Sequence, residues 1–481
     1  MFLGIDVGTS SVKTVLMDEQ QRILTSAHSN LTVMRPHSGW SEQHPADWIT
    51  ATQNTLDELK STHPVELAAV CGIALSGHMH GATLLDQGGA VLRPCILRND
   101  TRSHVEAAEL DANPVFRQLS GNIVFPGFTA PKLVWVKKYE PEIFNKVHKV
   151  LLPKDYVRYW LTGDYASDMS DSAGTSWLDV GRRAWSSELL HASGMDISQM
   201  PELAEGSAVT GQLRSELASR WGMHSMPVVA GGAGDNAASA CGMGTVMAGS
   251  AFVSLGTSGV LFAANDAYLP NPASAVHAFC HALPETWHQM GVILSATDSL
   301  NWYAGICGQS AADLTQALGN TWRAPTGVTF LPYLAGERTP HNDAAIRGAF
   351  LGLGHDSSQQ VLTQAVLEGV AFALRDNLAA LKAAGTQLTR VTAVGGGSRS
   401  RYWLQAMATA LNLPIDIPAE GDFGAAFGAA RLALIAATHA DPFAVCTPPR
   451  TEQTIEPQQD LLAAYDEAYA RYRGFYPVLR G

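Results

Sequence analysis

The chain has 481 residues, 46% hydrophobic and 16% charged, with a formal net charge of −12. That length calls for two or more folding units, and the apolar share supports large cores rather than a disordered or coiled-coil chain. The acidic balance, with no basic run, argues against a nucleic-acid binder or a membrane-surface protein, although backbone amides can still bind phosphate locally.

From its first residues, Met1-Phe2-Leu3-Gly4-Ile5-Asp6, the chain lacks the basic and apolar regions of a signal peptide. No run of about 18 uncharged apolar residues indicates a membrane span. The six cysteines are scattered without a CxxC pair, as expected of reduced thiols in the cytoplasm.

Phe2–Val7 reads as a short apolar strand that enters Gly8-Thr9-Ser10-Ser11 and continues as a second strand over 12–17. Residues 65–75 read as a strand ending at Ser76-Gly77, and 226–230 as another before Gly231-Gly232-Ala233-Gly234-Asp235-Asn236. Ala251–Leu255 then runs into Gly256-Thr257-Ser258-Gly259 and a strand over 260–264. This echo of the first hairpin, 248 residues later, implies two related domains with a boundary near 242–250. Residues 357–384 show the clearest helical period, with Ser357 and Gln360 as a capping box and Gly385 as the stop. A strand over 390–394 leads to Gly395-Gly396-Gly397-Ser398 and a helix over Arg401–Leu411. Residues 441–457 read as loop, followed by an amphipathic helix over 461–472. Strands alternating with helices make an α/β chain with layered sheets.

A Gly/Thr/Ser turn between strands presents successive backbone N–H groups, suited to phosphate oxygens. Either turn alone is equally an ordinary hairpin; two copies at half-chain offset suggest domains closing on a nucleotide from opposite sides. The echo breaks where Asp6 is matched by Ser254. A carboxylate beside phosphates repels them unless a cation intervenes, so Asp6 is a candidate to hold Mg²⁺; it is otherwise a strand-end group fixing the turn. Lys13 faces either phosphate or solvent. Asp235 is either a general base for a hydroxyl or a plain N-cap. Gly396 and Gly397 suit the close approach of a purine or ribose, or a tight strand-to-helix connection; the stretch is not a dinucleotide fingerprint. His78 with His80, and His277 with Cys280 and His281 at helical spacing, have metal-ligand residue types, but hydrogen-bonding roles are expected because too few ligands converge. Trp135, Trp160, Trp177 and Trp302 read as packing residues, and Glu337-Arg338 as a buried structural pair.

An ordered set of blocks runs along the chain. It comprises Gly4-Ile5-Asp6-Val7-Gly8-Thr9-Ser10, Met79-His80-Gly81-Ala82-Thr83, Asn99-Asp100 and Gly127-Phe128-Thr129-Ala130-Pro131-Lys132-Leu133. It continues with Leu152-Pro153-Lys154-Asp155-Tyr156, Ser167-Asp168-Met169-Ser170-Asp171, Gly234-Asp235-Asn236 and Ser254-Leu255-Gly256-Thr257-Ser258-Gly259. Gly336-Glu337-Arg338-Thr339-Pro340-His341 and Gly395-Gly396-Gly397-Ser398-Arg399 complete it. In this order the set resembles the FGGY carbohydrate kinases from end to end.

The resemblance implies two actin/hexokinase-like (ribonuclease H-like) domains with a cleft between them, over 1–245 and 246–481. It implies ATP-dependent phosphorylation of a pentulose, D-xylulose at its 5-hydroxyl, with another small ketose or polyol as the alternative acceptor. Asp235 matches the catalytic base and Asp6 the Mg²⁺-organising carboxylate. Thr9, Ser10 and Lys13 match the first phosphate turn, Gly256, Thr257 and Ser258 the second, and Gly396 and Gly397 the adenosine stretch. Met79, His80, Asp235 and Asn236 match ketose-binding positions. The implied setting is cytoplasmic, without nucleic acid or membrane, and compatible with a homodimer. Three residues depart from the family pattern: His78 where Gln is usual, Arg98 where Trp is common, and Ala233 in the turn before Asp235. A sugar- or nucleotide-binding regulator without catalysis would instead want a DNA-binding module, and none is expected ahead of Phe2.

Overall fold

The structure is a computed structural model that describes residues 1–319, 321–419, 421 and 423–480. Two seven-stranded mixed sheets organise it. In the first, the order is Val209–Gln212, Val228–Ala230, Gly72–Gly77, Phe2–Val7, Ser11–Met17 and Ile23–Asn30, with the short strand Ala233–Gly234 also pairing with Gly72–Gly77. In the second it is His277–Cys280, Trp287–Ile293, Gly259–Asn265, Ala251–Leu255, Val391–Val394, Ile415–Pro418 and Thr451–Ile455.

The echo extends well beyond the hairpins. In each sheet the opening strand pairs antiparallel with its hairpin partner, and that partner pairs antiparallel with a later strand, the next in the chain in the first sheet and the one after His277–Cys280 in the second. On its other side the opening strand pairs parallel with a strand from much later in the chain. A parallel neighbour needs a long crossover, and both crossovers are helix-rich.

One helix ties the halves together. Ala425–Thr438, from the second half of the sequence, lies on the first sheet and against the helix Asp235–Met243. Glycines permit the approach: a Cβ on Gly4 would stand 1.9 Å from the Ala426 carbonyl oxygen, and one on Gly428 would stand 1.7 Å from that of Ala238. Arg431 of this helix is buried and donates to the carbonyls of Cys241, Gly242 and Thr447.

Local readings differ from the structure in several places. Residues Pro64–Ala68 form a short helix opened by a proline, so the strand begins only at Gly72. The long helix is capped by Ser358, one residue later than expected, through Val361 N. The segment 441–457 contains a helix, Pro442–Val445, and an edge strand, Thr451–Ile455. The last helix runs from Leu462 to Arg480. Trp302 is 40% exposed and stacks on Phe330 and Phe350 at the surface, whereas Trp135 and Trp177 are buried.

Candidate active site

Strand register places the two carboxylates. Asp6 pairs with Ser76, which pairs with Ala233; Val7 pairs with Gly77, which pairs with Gly234. Asp6 and Asp235 therefore stand at the carboxyl ends of two parallel strands on either side of Gly72–Gly77, where α/β sheets bind ligands. Asp235 is the first residue of its helix and Gly234 is the N-cap, so the plain N-cap role is excluded. Its Oδ1 accepts from Asn236 N at 2.8 Å and Asn236 Nδ2 at 2.9 Å. Its Oδ2 accepts from Arg98 Nη1 at 3.1 Å.

Buried charge holds this corner from behind. Lys154 is ion-paired with Asp155 and Asp168 at 2.5 and 2.7 Å. Asp168 accepts from the Ser170 hydroxyl, which accepts in turn from Gly234 N at 3.1 Å. Burial raises the carboxyls of Asp155 and Asp171, so one lysine among three acids leaves this cluster with carboxyls held toward the neutral form.

Asp6 is half-buried, and its Oδ1, shut off from solvent, has no hydrogen-bond partner. Desolvation, and then the nearby Asp235 charge, push its pKa up to about 6, opposed by a Ser76 hydrogen bond and by Lys13 and Arg98. Lys13 lies directly across the hairpin from it. A desolvated carboxylate with an unsatisfied oxygen fits a divalent cation. Among the described residues no cluster of three or more His, Cys, Asp or Glu could hold a metal unaided. One carboxylate, with substrate phosphates and water completing the shell, is the usual arrangement for Mg²⁺.

A cavity of about 450 Å³ opens beside Asp235. Met79, His80, Arg98, Asn236, Ser258 and His277 are among its walls. Met79 packs where a Cβ on Gly234 would stand, 2.9 Å from its Cγ. His80 adopts a φ of +72°, and its Nδ1 donates to Gly174 O at 2.7 Å, leaving Nε2 as the acceptor. Its ring stacks on Phe128 at 4.6 Å. Lys132, fully buried, donates to the carbonyls of His80 and Gly127, each at 2.7 Å. His78 is not part of that wall: its ring is buried edge-on against Trp48, both nitrogens lack partners, and burial lowers its pKa to about 3.

The two Gly-Thr-Ser turns are braced alike. In the first, Gln43 Nε2 donates to Thr9 O and Leu31 N to Ser10 O. In the second, Thr297 N donates to Gly256 O and Ala296 N to Thr257 O. Carbonyl oxygens, which would repel an anion, are thereby engaged from outside the turn. Gly396 and Gly397 line a cavity of about 650 Å³ with Thr297, Arg399, Tyr402 and Trp403. A third cavity of about 760 Å³ joins Gly395 and Ser254 to Asn236. Asn236 thus borders both the cavity beside Asp235 and this third one. Met79, His80, Asn236 and Ser258 line one cavity; Gly396 and Gly397 line another, which shares Arg399 and Arg401 with the third cavity.

Models of the FGGY family of carbohydrate kinases match this chain, the N-terminal domain over residues 1–242 and the C-terminal domain over 251–437. The chain belongs to the FGGY carbohydrate kinases. It is a sugar kinase, a phosphotransferase, with the actin- and hexokinase-like fold. The xylulose kinase of Escherichia coli K12 is 48% identical over 100% of this chain and 99% of that one. A solved structure from Brucella ovis, described as a "xyloylose kinase", is 66% identical over 100% and 99% of the two chains, with a TM-score of 0.99. The xylulose kinase structure from Rhodospirillum rubrum is 29% identical over 100% and 99%, with a TM-score of 0.92.

Sequence reading missed several residues of this FGGY kinase's site. Lys132 and Phe128 lay inside a quoted block without an assigned role; their signal was a lysine in an otherwise apolar helix start. His277 belongs to a strand, His277–Cys280, not to a helix, and its Nε2 lies 3.4 Å from Arg338 Nη1. His281 turns away to bond Thr245 O, and Cys280 donates to Val180 O, so the three form no metal site. Glu337 is buried as expected, but its carboxylate accepts from Leu294 N and Arg338 N rather than from the Arg338 side chain. No helix among the described residues is long and apolar enough to cross a membrane.

Proposed function

We propose that this kinase phosphorylates D-xylulose at its 5-hydroxyl, using ATP with Mg²⁺. The observation that carries the reading is the Asp235 carboxylate beside a sugar-sized cavity, in a chain 48% identical along its length to a xylulose kinase. In this reading the ketose lies against Met79, His80 and Asn236, with its 5-hydroxyl directed at Asp235. The turns Thr9-Ser10 and Gly256-Thr257-Ser258 hold the β- and γ-phosphates from opposite lobes, with Lys13 beside the first. The cavity at Gly396 and Gly397 takes the adenosine.

Phosphoryl transfer needs alignment and charge neutralisation more than covalent help. Asp6 would hold Mg²⁺, which when bound neutralises phosphate charge. Asp235 accepts the hydroxyl proton late in transfer. Closure of the two lobes, divided near residue 245 except that the helix Ala425–Thr438 packs on the first sheet, sheds water and limits hydrolysis. The six cysteines are all free thiols, consistent with work in the cytoplasm.

ADP release over a panel of pentuloses, hexuloses and polyols tests the acceptor. D-xylulose is expected to lead; a place among the poorest substrates would sink the assignment in favour of another ketose or polyol. Asp235→Ala is expected to lower turnover by about 10²- to 10⁴-fold while sugar binding survives.

A further inference from the structure

Asp235 presents two unlike oxygens. Oδ1 is taken by its neighbour Asn236 through two hydrogen bonds. Oδ2 is held by Arg98, in an ion pair whose side chains are 46% and 26% exposed respectively. A base must offer an oxygen to the hydroxyl it deprotonates, and with Oδ1 engaged by its own helix that oxygen is Oδ2. The Arg98 guanidinium therefore stands where the acceptor hydroxyl must donate.

The Arg98 backbone has little freedom. Asp100, two residues on, is buried, accepts from Ser41 N, and is bound bidentately by Arg102. The Arg98 carbonyl oxygen packs so close to Gly127 that a Cβ there would stand 2.3 Å away. Exchange at Oδ2 thus falls to the Arg98 side chain alone, which is half in solvent and loses little when it lets go.

We propose that Arg98 is a positioning residue that guards the catalytic carboxylate: it occupies Asp235 Oδ2 against water and yields it to the sugar hydroxyl, committing ATP to the sugar. The proposal rests on Asp235 being the base, as argued above. In the reaction it suppresses, Oδ2 takes a proton from water while the water oxygen bonds to the γ-phosphorus. The bond from that phosphorus to the β,γ-bridging oxygen breaks, its electron pair leaves with ADP, and inorganic phosphate is released. The productive reaction is the same with the sugar hydroxyl in place of water.

The test measures ADP release with and without the best acceptor for the parent, Arg98→Met, Arg98→Lys and the double variant Arg98→Met/Asp235→Asn. Arg98→Met is expected to raise sugar-independent hydrolysis by about threefold to tenfold, the range an exposed ion pair can impose. Arg98→Lys, which keeps a cation able to reach Oδ2, recovers most of the suppression. In the double variant the gain disappears, because the added hydrolysis runs through Asp235. Unchanged sugar-independent hydrolysis in Arg98→Met, or a gain that survives Asp235→Asn, overturns the proposal. Arg98→Gln replaces Met if that variant fails to fold, with the same two outcomes. A parent that turns over no ketose would sink the reading of substrate; a parent that phosphorylates a ketose while Arg98→Met leaves sugar-independent hydrolysis unchanged sinks only the role of Arg98.

Discussion

Arg98 Nη1 lies 3.1 Å from Asp235 Oδ2, across 137 positions of sequence. The contact joins the loop after the strand Cys95–Ile96 to the start of the helix Asp235–Met243. It leaves the base with one oxygen bound by its own helix and one bound by a half-exposed cation. The site's chemistry depends on what competes for that second oxygen.

Asp6 should be indispensable for turnover and costly for stability. Asp6→Asn is expected to lower kcat on the order of 10²–10³-fold, as for other losses of charge placement in an active site, and to weaken the dependence of rate on Mg²⁺ concentration. The same variant should unfold at a higher temperature than the parent at pH 8 in EDTA, because it removes the charge of a carboxylate whose Oδ1 is shut off from solvent without a partner. Kinetics across a Mg²⁺ series, with thermal unfolding alongside, check both halves.

Lys132 holds the sugar wall in shape. Lys132→Met leaves the half-buried Gly127 carbonyl without its donor and the His80 carbonyl with only Thr129 Oγ1. An unsatisfied buried carbonyl costs about 1–3 kcal/mol, part of which should appear as loosened placement of His80. The expected result is a ketose KM raised about tenfold or more, with a smaller fall in kcat and an unchanged KM for ATP.

Glu368 makes stability fall as pH rises. It is buried in the long helix Gln359–Ala383 and accepts from Gln364 Nε2 and Thr326 N, and burial pushes its pKa from 4.5 to about 8. The folded state holds this proton while the unfolded state releases it, so the contribution is complete below pH 4.5 and is lost between there and pH 8. The parent's advantage over Glu368→Gln should shrink by a few kcal/mol from pH 4.5 to pH 8, read by denaturant unfolding. A constant difference across that window would count against the assignment.

Two glycines separate packing from binding. A Cβ on Gly428 would meet the Ala238 carbonyl at 1.7 Å, so Gly428→Ala forces apart the helices Ala425–Thr438 and Asp235–Met243. It should destabilise the fold by more than about 3 kcal/mol, at the upper end for overpacking. Gly396 has nothing within 4 Å of such a Cβ and lines the cavity assigned to adenosine. Gly396→Val should leave the unfolding midpoint within about 0.5 kcal/mol of the parent and raise the KM for ATP.

The hairpin echo, the glycine turns and the ordered blocks were legible because each is local. A turn needs particular residues at particular offsets, and those appear as letters in a row. The sequence also exposed the break at Asp6 and Ser254, since one repeat unit can be laid on the other. The capping of the long helix missed by one residue because either Ser357 or Ser358 can cap through its hydroxyl; Gln360 favoured Ser357 as a capping box, and the path of the chain chose Ser358.

What the sequence alone determined about this protein is its repeat, its family and the residue types beside each turn. Tertiary structure decided which of them meet. Arg98 reaches Asp235, Lys132 reaches the His80 carbonyl, and the helix Ala425–Thr438 lies on a sheet begun some 420 residues earlier. The physical reason is that such contacts are fixed by parallel strand register and by backbones brought together at glycine. Neither leaves a period or a spacing in the chain that could be read beforehand.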